Sequence, residues 1–179
     1  MTKQKIIGIV GWKNSGKTTL VEALIRKMTD RGFHLSSVKH AHHAFDIDIP
    51  GKDSYRHRQA GAREVIVVSG QRWALMHETA GPVEPGLEEL LPKLAPCDLV
   101  VIEGYKHGAH PKIEVARSAR SEGLIADLDS SVIAVATDDA GLAGAHRCLP
   151  LNDVCAIANF IEKYLELNPR ESKPGSAAQ

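Results

Sequence analysis

Residues 11–18 read Gly11-Trp12-Lys13-Asn14-Ser15-Gly16-Lys17-Thr18. This is the spacing G-x-x-x-x-G-K-[ST] of a phosphate-binding loop. Few short motifs restrict a fold as strongly, because the loop works only between a strand and the start of a helix. Gly11 and Gly16 let the backbone take positive φ and approach a ligand closely. The turned-in N–H groups cradle phosphate oxygens, and the helix adds its positive dipole end. The flanks supply both elements. Lys5-Ile6-Ile7-Gly8-Ile9-Val10 is apolar and β-branched, as a buried parallel strand is. Leu20, Leu24, Ile25 and Met28 then recur every three or four residues and give a helix one apolar face. The candidate nucleotide contacts are Gly11, Lys13, Asn14, Ser15, Gly16, Lys17, Thr18 and Thr19. Lys17 directs charge at the β- and γ-phosphates, and the Thr18 hydroxyl is a candidate Mg²⁺ ligand.

The remaining chain alternates strands with helices. The first helix is predicted over Lys17–Arg31, stopped by Gly32. Phe33–Lys39 reads as a second strand, and Asp53 or Ser54 caps a helix to about Ala60. Glu64–Ser69 and Arg72–His77 are strands joined so tightly that they must be antiparallel. A short helix through Leu87, Leu90, Leu91 and Leu94 precedes the apolar strand Asp98–Gly104. Ile113–Ala116 is expected as a strand turned back from it, Val132–Ala136 as a buried strand, and Asn152 or Asp153 as the cap of a last helix to about Leu167. The expected fold is a three-layer α/β domain of the phosphate-loop type. It has a mixed, mostly parallel sheet, helices on both faces and an inserted β-hairpin. Residues 1–167 are expected to form one domain, with 168–179 as a polar tail.

In such sheets ligands sit beyond the carboxyl ends of strands. Gly11–Thr18, His40–Asp48, Glu103–Lys106 and Thr137–Asp139 all follow strands and are expected to meet on one rim. Asp98 and Glu103 bracket a single strand and lie roughly 16 Å apart at about 3.3 Å per residue. Only Glu103 can therefore share a rim with Thr18, which makes it the candidate for the metal shell. Asp46 and Asp48 lie on the loop after the second strand, where nucleotide switches carry a further metal contact or water-positioning group. Asp48, flanked by Ile47 and Ile49, is the preferred one. His40, His42 and His43 are clustered among nine histidines. They suit either a transition metal or an anionic heteroaromatic ligand, with Lys39, Lys52, Arg56, Arg58, Lys106 and His107 to complete the surface. No Asn-Lys-x-Asp motif reads guanine. Asp138 or Asp139 can accept hydrogen bonds from its N1–H and 2-amino groups instead.

The 22 basic and 22 acidic residues balance, so no basic excess points to nucleic acid or an anionic membrane. No apolar run approaches a membrane span and no signal-peptide pattern is present. Three cysteines, Cys97, Cys148 and Cys155, form no C-x-x-C pair, and a reducing cytoplasm is expected. Arg72-Trp73-Ala74-Leu75-Met76 lacks the usual protections of an edge strand and is expected to pair with a second copy in a dimer.

Beyond these residues, the phosphate loop is accompanied by Val38-Lys39-His40-Ala41-His42-His43 and by Phe45-Asp46-Ile47-Asp48-Ile49-Pro50-Gly51-Lys52-Asp53-Ser54-Tyr55. Further on come Gln71–Met76, Val101-Ile102-Glu103-Gly104-Tyr105-Lys106-His107 and Val132–Ala136. Together they resemble the MobB family of molybdopterin-guanine dinucleotide biosynthesis adapter proteins, over about residues 5–165. The resemblance implies a GTP-binding, dimeric adapter with weak Mg²⁺-dependent GTPase activity. It also implies a MobA-like guanylyltransferase as partner, which attaches GMP to molybdopterin. Lys39, His40, His42, His43 and Lys106 then become candidate contacts to that phosphorylated pterin, with Lys17, Glu103 and Asp48 as the catalytic set. The competing reading is a phosphate-loop small-molecule kinase using ATP or GTP. It would need an acceptor pocket and an arginine-rich lid, for which Arg117 to Arg120 is a poor candidate.

Overall fold

A computed structural model describes residues 4–41, 45–81, 83–118 and 122–168. The expectations for His42, His43 and the tail from 169 lie outside the described residues. In chain order the strands and α-helices are β1 (Ile6–Val10), α1 (Lys17–Asp30), β2 (Leu35–Lys39), α2 (Asp53–Gln59), β3 (Glu64–Val68) and β4 (Trp73–His77). They continue as α3 (Leu87–Leu90), β5 (Leu99–Glu103), β6 (Lys112–Ala116), β7 (Val132–Thr137), β8 (Cys148–Pro150) and α4 (Val154–Leu165). Two compact units result. One comprises the chain up to His40 and again from Ala95; the other comprises Ala41 to Leu94.

The first unit is a six-stranded sheet ordered β2-β5-β1-β6-β7-β8. All its described pairings are parallel. Parallel strands bury both faces, which explains the apolar runs of β1, β5 and β7. One face carries Ile7, Ile9, Leu99, Val101, Ile113, Val115, Ala134 and Ala136. It packs on Leu20, Val21, Leu24 and Met28 of α1 and on Ile157 and Ile161 of α4. Helix α1 ends where foreseen, with Gly32 at φ 86°. The Asp153 side chain caps α4 by accepting from Ala156 N, whereas Tyr164 near its end is half exposed.

The opposite face is covered by short 3-10 helices at Ile125–Asp127 and Ala140–Ala143, packed through Ala126 and Ala143 on Val10, Val132 and Val135. Two charged residues of β6, Lys112 and Glu114, are fully buried here. Lys112 Nζ donates to Asp129 Oδ2 at 2.9 Å and also to the Ser131 hydroxyl. The Glu114 carboxylate accepts from Ile125 N and Ala126 N, both at 2.9 Å. Buried charges persist only when partnered in this way. Gly8 makes room for them, since a Cβ there would lie 3.0 Å from Lys112 Cγ and 2.5 Å from the His110 ring.

The second unit holds α2, α3 and the β3–β4 hairpin, whose register pairs Ile66 with Leu75 and Val68 with Trp73. The hairpin forms a two-stranded sheet of its own. The α/β class and the hairpin are as foreseen, but the main sheet is not mixed. Strand β6 is likewise not turned back from β5. It runs parallel to β1 on the far side from β5, because the eight-residue connection, residues 104–111, is long enough to carry the chain across the sheet end. Strand β8 was not foreseen, since three residues carry too little periodicity to read.

Candidate phosphate and metal site

The loop between β1 and α1 has the geometry its glycines suggested. Gly11 sits at φ 146°, where an added Cβ would fall 2.5 Å from the Val115 carbonyl oxygen and 2.7 Å from Ser15 Oγ. Gly16 at φ 101° immediately precedes α1, and Asn14 is left-handed at φ 62°. Ser15 is 1% exposed, and its hydroxyl is buried without a hydrogen-bond partner. An orphaned buried hydroxyl inside a cradle of turned backbone suits an oxygen-rich anion. The first N–H groups of α1, from Lys17, Thr18 and Thr19, have no partner within the helix and add to that preference. Lys17 Nζ donates to the Trp12 carbonyl at 2.7 Å.

Thr18 and Glu103 are brought together: the hydroxyl donates to Oε1 at 2.7 Å. Lys39, the register partner of Glu103 on β2, places its ammonium 3.4 Å from the same oxygen. Oxygen donors only, one of them a carboxylate, match a hard cation. The 2.7 Å spacing is close to the about 2.9 Å between neighbouring ligands of an octahedral Mg²⁺ shell. Asp98, at the other end of β5, instead accepts from His34 N at 2.8 Å.

Arg117, the first residue beyond β6, was not singled out as a loop residue. Its Nε donates to the Ser15 carbonyl at 3.0 Å and its Nη1 lies 3.4 Å from Asp138 Oδ2. It braces the loop from below rather than serving as a lid. The rule that pointed to Glu103, position at a strand's carboxyl end, would have found it. Asp138 also accepts from Ser118 N at 3.0 Å. That bond, aided by the guanidinium, holds its carboxyl below the usual range. Asp139 likewise accepts from Gly141 N, capping the 3-10 helix that follows, so each of the two expected base readers already holds a backbone N–H. A cavity of about 270 Å³ beside the loop is lined by Trp12, Ser15, Glu114, Arg117, Gly123 and Leu142, among others.

Of the expected ligand surface, His40 packs against Tyr105 with ring centroids 4.7 Å apart and the ring planes tilted by 37°. Lys106 lies with Nζ 4.3 Å over the Trp12 ring. Lys39 belongs with Glu103 and Thr18. Within the second unit, Asp48 accepts from Ser54 Oγ at 2.8 Å and from Arg58 Nε at 3.3 Å. Arg58, expected to offer free positive charge, is neutralised by three acids: Asp46 and Glu78, each at 2.8 Å, and Asp48. The Arg58 hydrogen bond is also the main reason Asp46 has a lowered pKa. Among the described residues no group of three or more His, Cys, Asp or Glu side chains could hold a metal ion.

Residues 6–138 match the family MobB, molybdopterin guanine dinucleotide synthesis protein B. The chain belongs to this family. Among MobB relatives, the molybdopterin-guanine dinucleotide biosynthesis adapter protein of Escherichia coli (strain K12) is 40% identical over 166 residues, covering 90% of this chain and 93% of that one. The protein of the same name from Haemophilus influenzae is 40% identical over 162 residues, covering 89% of each. The crystal structure of Bacillus subtilis MobB aligns with a TM-score of 0.68 at 26% identity, covering 90% of this chain and 98% of that one. A further MobB crystal structure, at a TM-score of 0.71 and 24% identity, shares the fold. No helix among the described residues is long and apolar enough to cross a membrane.

Proposed function

We propose that the protein is a GTP-binding adapter of molybdenum cofactor biosynthesis. It assists a MobA-like guanylyltransferase that attaches GMP to molybdopterin, and it hydrolyses GTP only slowly. The observation that carries the nucleotide reading is the contact of Thr18 with Glu103 beside the phosphate loop, with the orphaned Ser15 hydroxyl inside that loop. Thr18 and Glu103 would hold Mg²⁺. The ion would supply positive charge against the phosphates. Lys17 and the loop N–H groups, from Lys13 to Thr19, bind and orient the triphosphate, and Asp138 accepts from the guanine edge. Lys39, His40, His42 and His43 are proposed as contacts to molybdopterin.

The same reading makes the protein a homodimer. Val68, Trp73 and Ile66, on one face of the hairpin, are 73%, 65% and 63% exposed. A contiguous apolar strip on a two-stranded sheet with open edges favours burial against a second copy.

The deciding experiment is a calorimetric titration of the purified protein with GTP, ATP and molybdopterin in Mg²⁺. Micromolar or tighter GTP binding with weaker ATP binding is expected. Failure to bind any nucleotide would sink the proposal. Replacing His42 and His43 with Ala should leave GTP affinity unchanged and slow cofactor maturation by the partner enzyme.

A further inference from the structure

Two lysines converge on Trp12, the first variable residue of the phosphate loop. Lys17 Nζ bonds to its carbonyl, and Lys106 Nζ stands 4.3 Å over its ring. The ring is fixed, because the indole N–H donates to the Gly123 carbonyl at 2.9 Å. Lys106 reaches it by an unusual route. Directly after β5 the chain passes through two consecutive left-handed residues, Gly104 at φ 95° and Tyr105 at φ 50°. Gly104 can only be glycine, since a Cβ would come within 2.8 Å of His40 Cβ. Tyr105 pays backbone strain that is rare for an aromatic residue, and its ring lies tilted against that of His40. Glu103 stays on Thr18 while the next three residues turn back, so one short segment delivers a carboxylate to one side of the loop and an ammonium to the other. Strain of this kind persists where the placement of the following side chain matters.

From this arrangement we propose that Lys106 is a terminal-phosphate reader. It leaves the Trp12 ring for the last phosphate of a bound nucleoside triphosphate and makes the site prefer triphosphates to diphosphates. The inference rests on the nucleotide reading above and adds a residue that tells the two nucleotide states apart. The physical basis is an exchange of partners. A partly exposed ammonium on an indole face is held less strongly, whereas a charge-assisted bond to phosphate is among the stronger contacts a lysine makes. The ring therefore parks the ammonium within reach of the loop at little cost to its release. Because a diphosphate lacks the terminal group, Lys106 stays on the ring when one is bound.

Trp12 also supplies the readout. The chain contains two tryptophans, Trp12 and Trp73, so a Trp73→Phe background leaves Trp12 as the single emitter. In that background the emission of Trp12 should change on adding a non-hydrolysable GTP analogue with Mg²⁺ and stay nearly constant on adding GDP. Lys106→Met should abolish the difference. It should weaken the triphosphate analogue about tenfold or more and GDP less than twofold, as loss of one charge-assisted contact implies. Equal weakening of both nucleotides, or of neither, overturns the role of Lys106 and leaves the phosphate loop standing. If the parent protein binds neither nucleotide, the nucleotide reading itself is overturned. Lys106→Arg keeps the charge but not the point geometry and should retain part of the preference. An arginine variant indistinguishable from Lys106→Met at normal thermal stability counts against a charge-based role.

Discussion

The hydroxyl of Thr18 donates to the Glu103 carboxylate at 2.7 Å, so the first turn of α1 is tied to the last residue of β5. Residues 85 positions apart thus meet because β5 lies beside β1 in parallel register, Ile9 opposite Glu103. The Glu103→Gln protein should keep this hydrogen bond and lose the charge. Mg²⁺-dependent GTP hydrolysis is expected to fall by more than tenfold while GTP affinity changes by less than threefold, because a charged ligand acts where charge develops in the transfer. Asp98→Asn should affect neither. Single-turnover rates and titrations on both variants check this, and a larger effect from Asp98→Asn would refute it.

Lys17→Ala is expected to weaken GTP binding ten- to hundredfold, the equivalent of about 1.5–3 kcal/mol for a charge-assisted contact. Lys17 is partly exposed at the mouth of the loop, so the melting temperature should shift by less than about 2 °C. Calorimetry and a thermal melt on the same preparation measure both; unchanged affinity contradicts the phosphate-loop assignment.

Asp129 holds the buried Lys112 ammonium. The Ser131 hydroxyl, then Lys112, draw its carboxyl down to about 2 from 3.8. A carboxyl whose folded pKa is depressed stabilises the fold above its unfolded pKa and loses that contribution as pH falls towards the folded value. Asp129→Asn should therefore cost about 2–3 kcal/mol at pH 7, because it leaves a buried charge without its counterion. The gap between the two proteins should narrow by about 1 kcal/mol between pH 4 and pH 2, allowing for solvent at the partly exposed carboxyl. Urea unfolding across that range gives the answer, and a gap that widens on acidification disproves the assignment.

Trp73→Glu together with Leu75→Glu places two charges on the hairpin's apolar strip. Light scattering at micromolar concentration should show a dimer for the parent and a monomer for the double variant, with nucleotide affinity retained in both. A parent monomer, or a dimer indifferent to the two changes, ends the edge-pairing proposal.

Much of the scaffold could be read from the sequence because its signals are local. The loop spacing, the period of Leu20, Leu24 and Met28, the stop at Gly32 and the cap at Asp153 each depend on a few neighbouring residues. Strand direction also let Glu103 be separated from Asp98 without coordinates. The pairing of strands was harder. Nothing in Lys112–Ala116 says that it lies beside β1 rather than β5, since neighbour choice is set by the connection and by packing against distant residues. The burial of Lys112 and Glu114 was not legible either, because their partners, Asp129 and the N–H groups of Ile125 and Ala126, are far along the chain and show no periodicity. Arg58 misled for a related reason. A basic residue advertises free charge until the three carboxylates that fold onto it are seen.

The connection from β6 to β7 is the part of the sheet where the usual crossover helix is replaced by a 3-10 turn held to the strand by Lys112 and Glu114. Such anchoring is all-or-none in a way that oily packing is not. A greasy helix can loosen by degrees, whereas a carboxylate that loses two N–H donors has nothing else to fall back on. Amide protons of residues 125–131 should accordingly exchange as one cooperative block, at a rate well above that of β1 and β5.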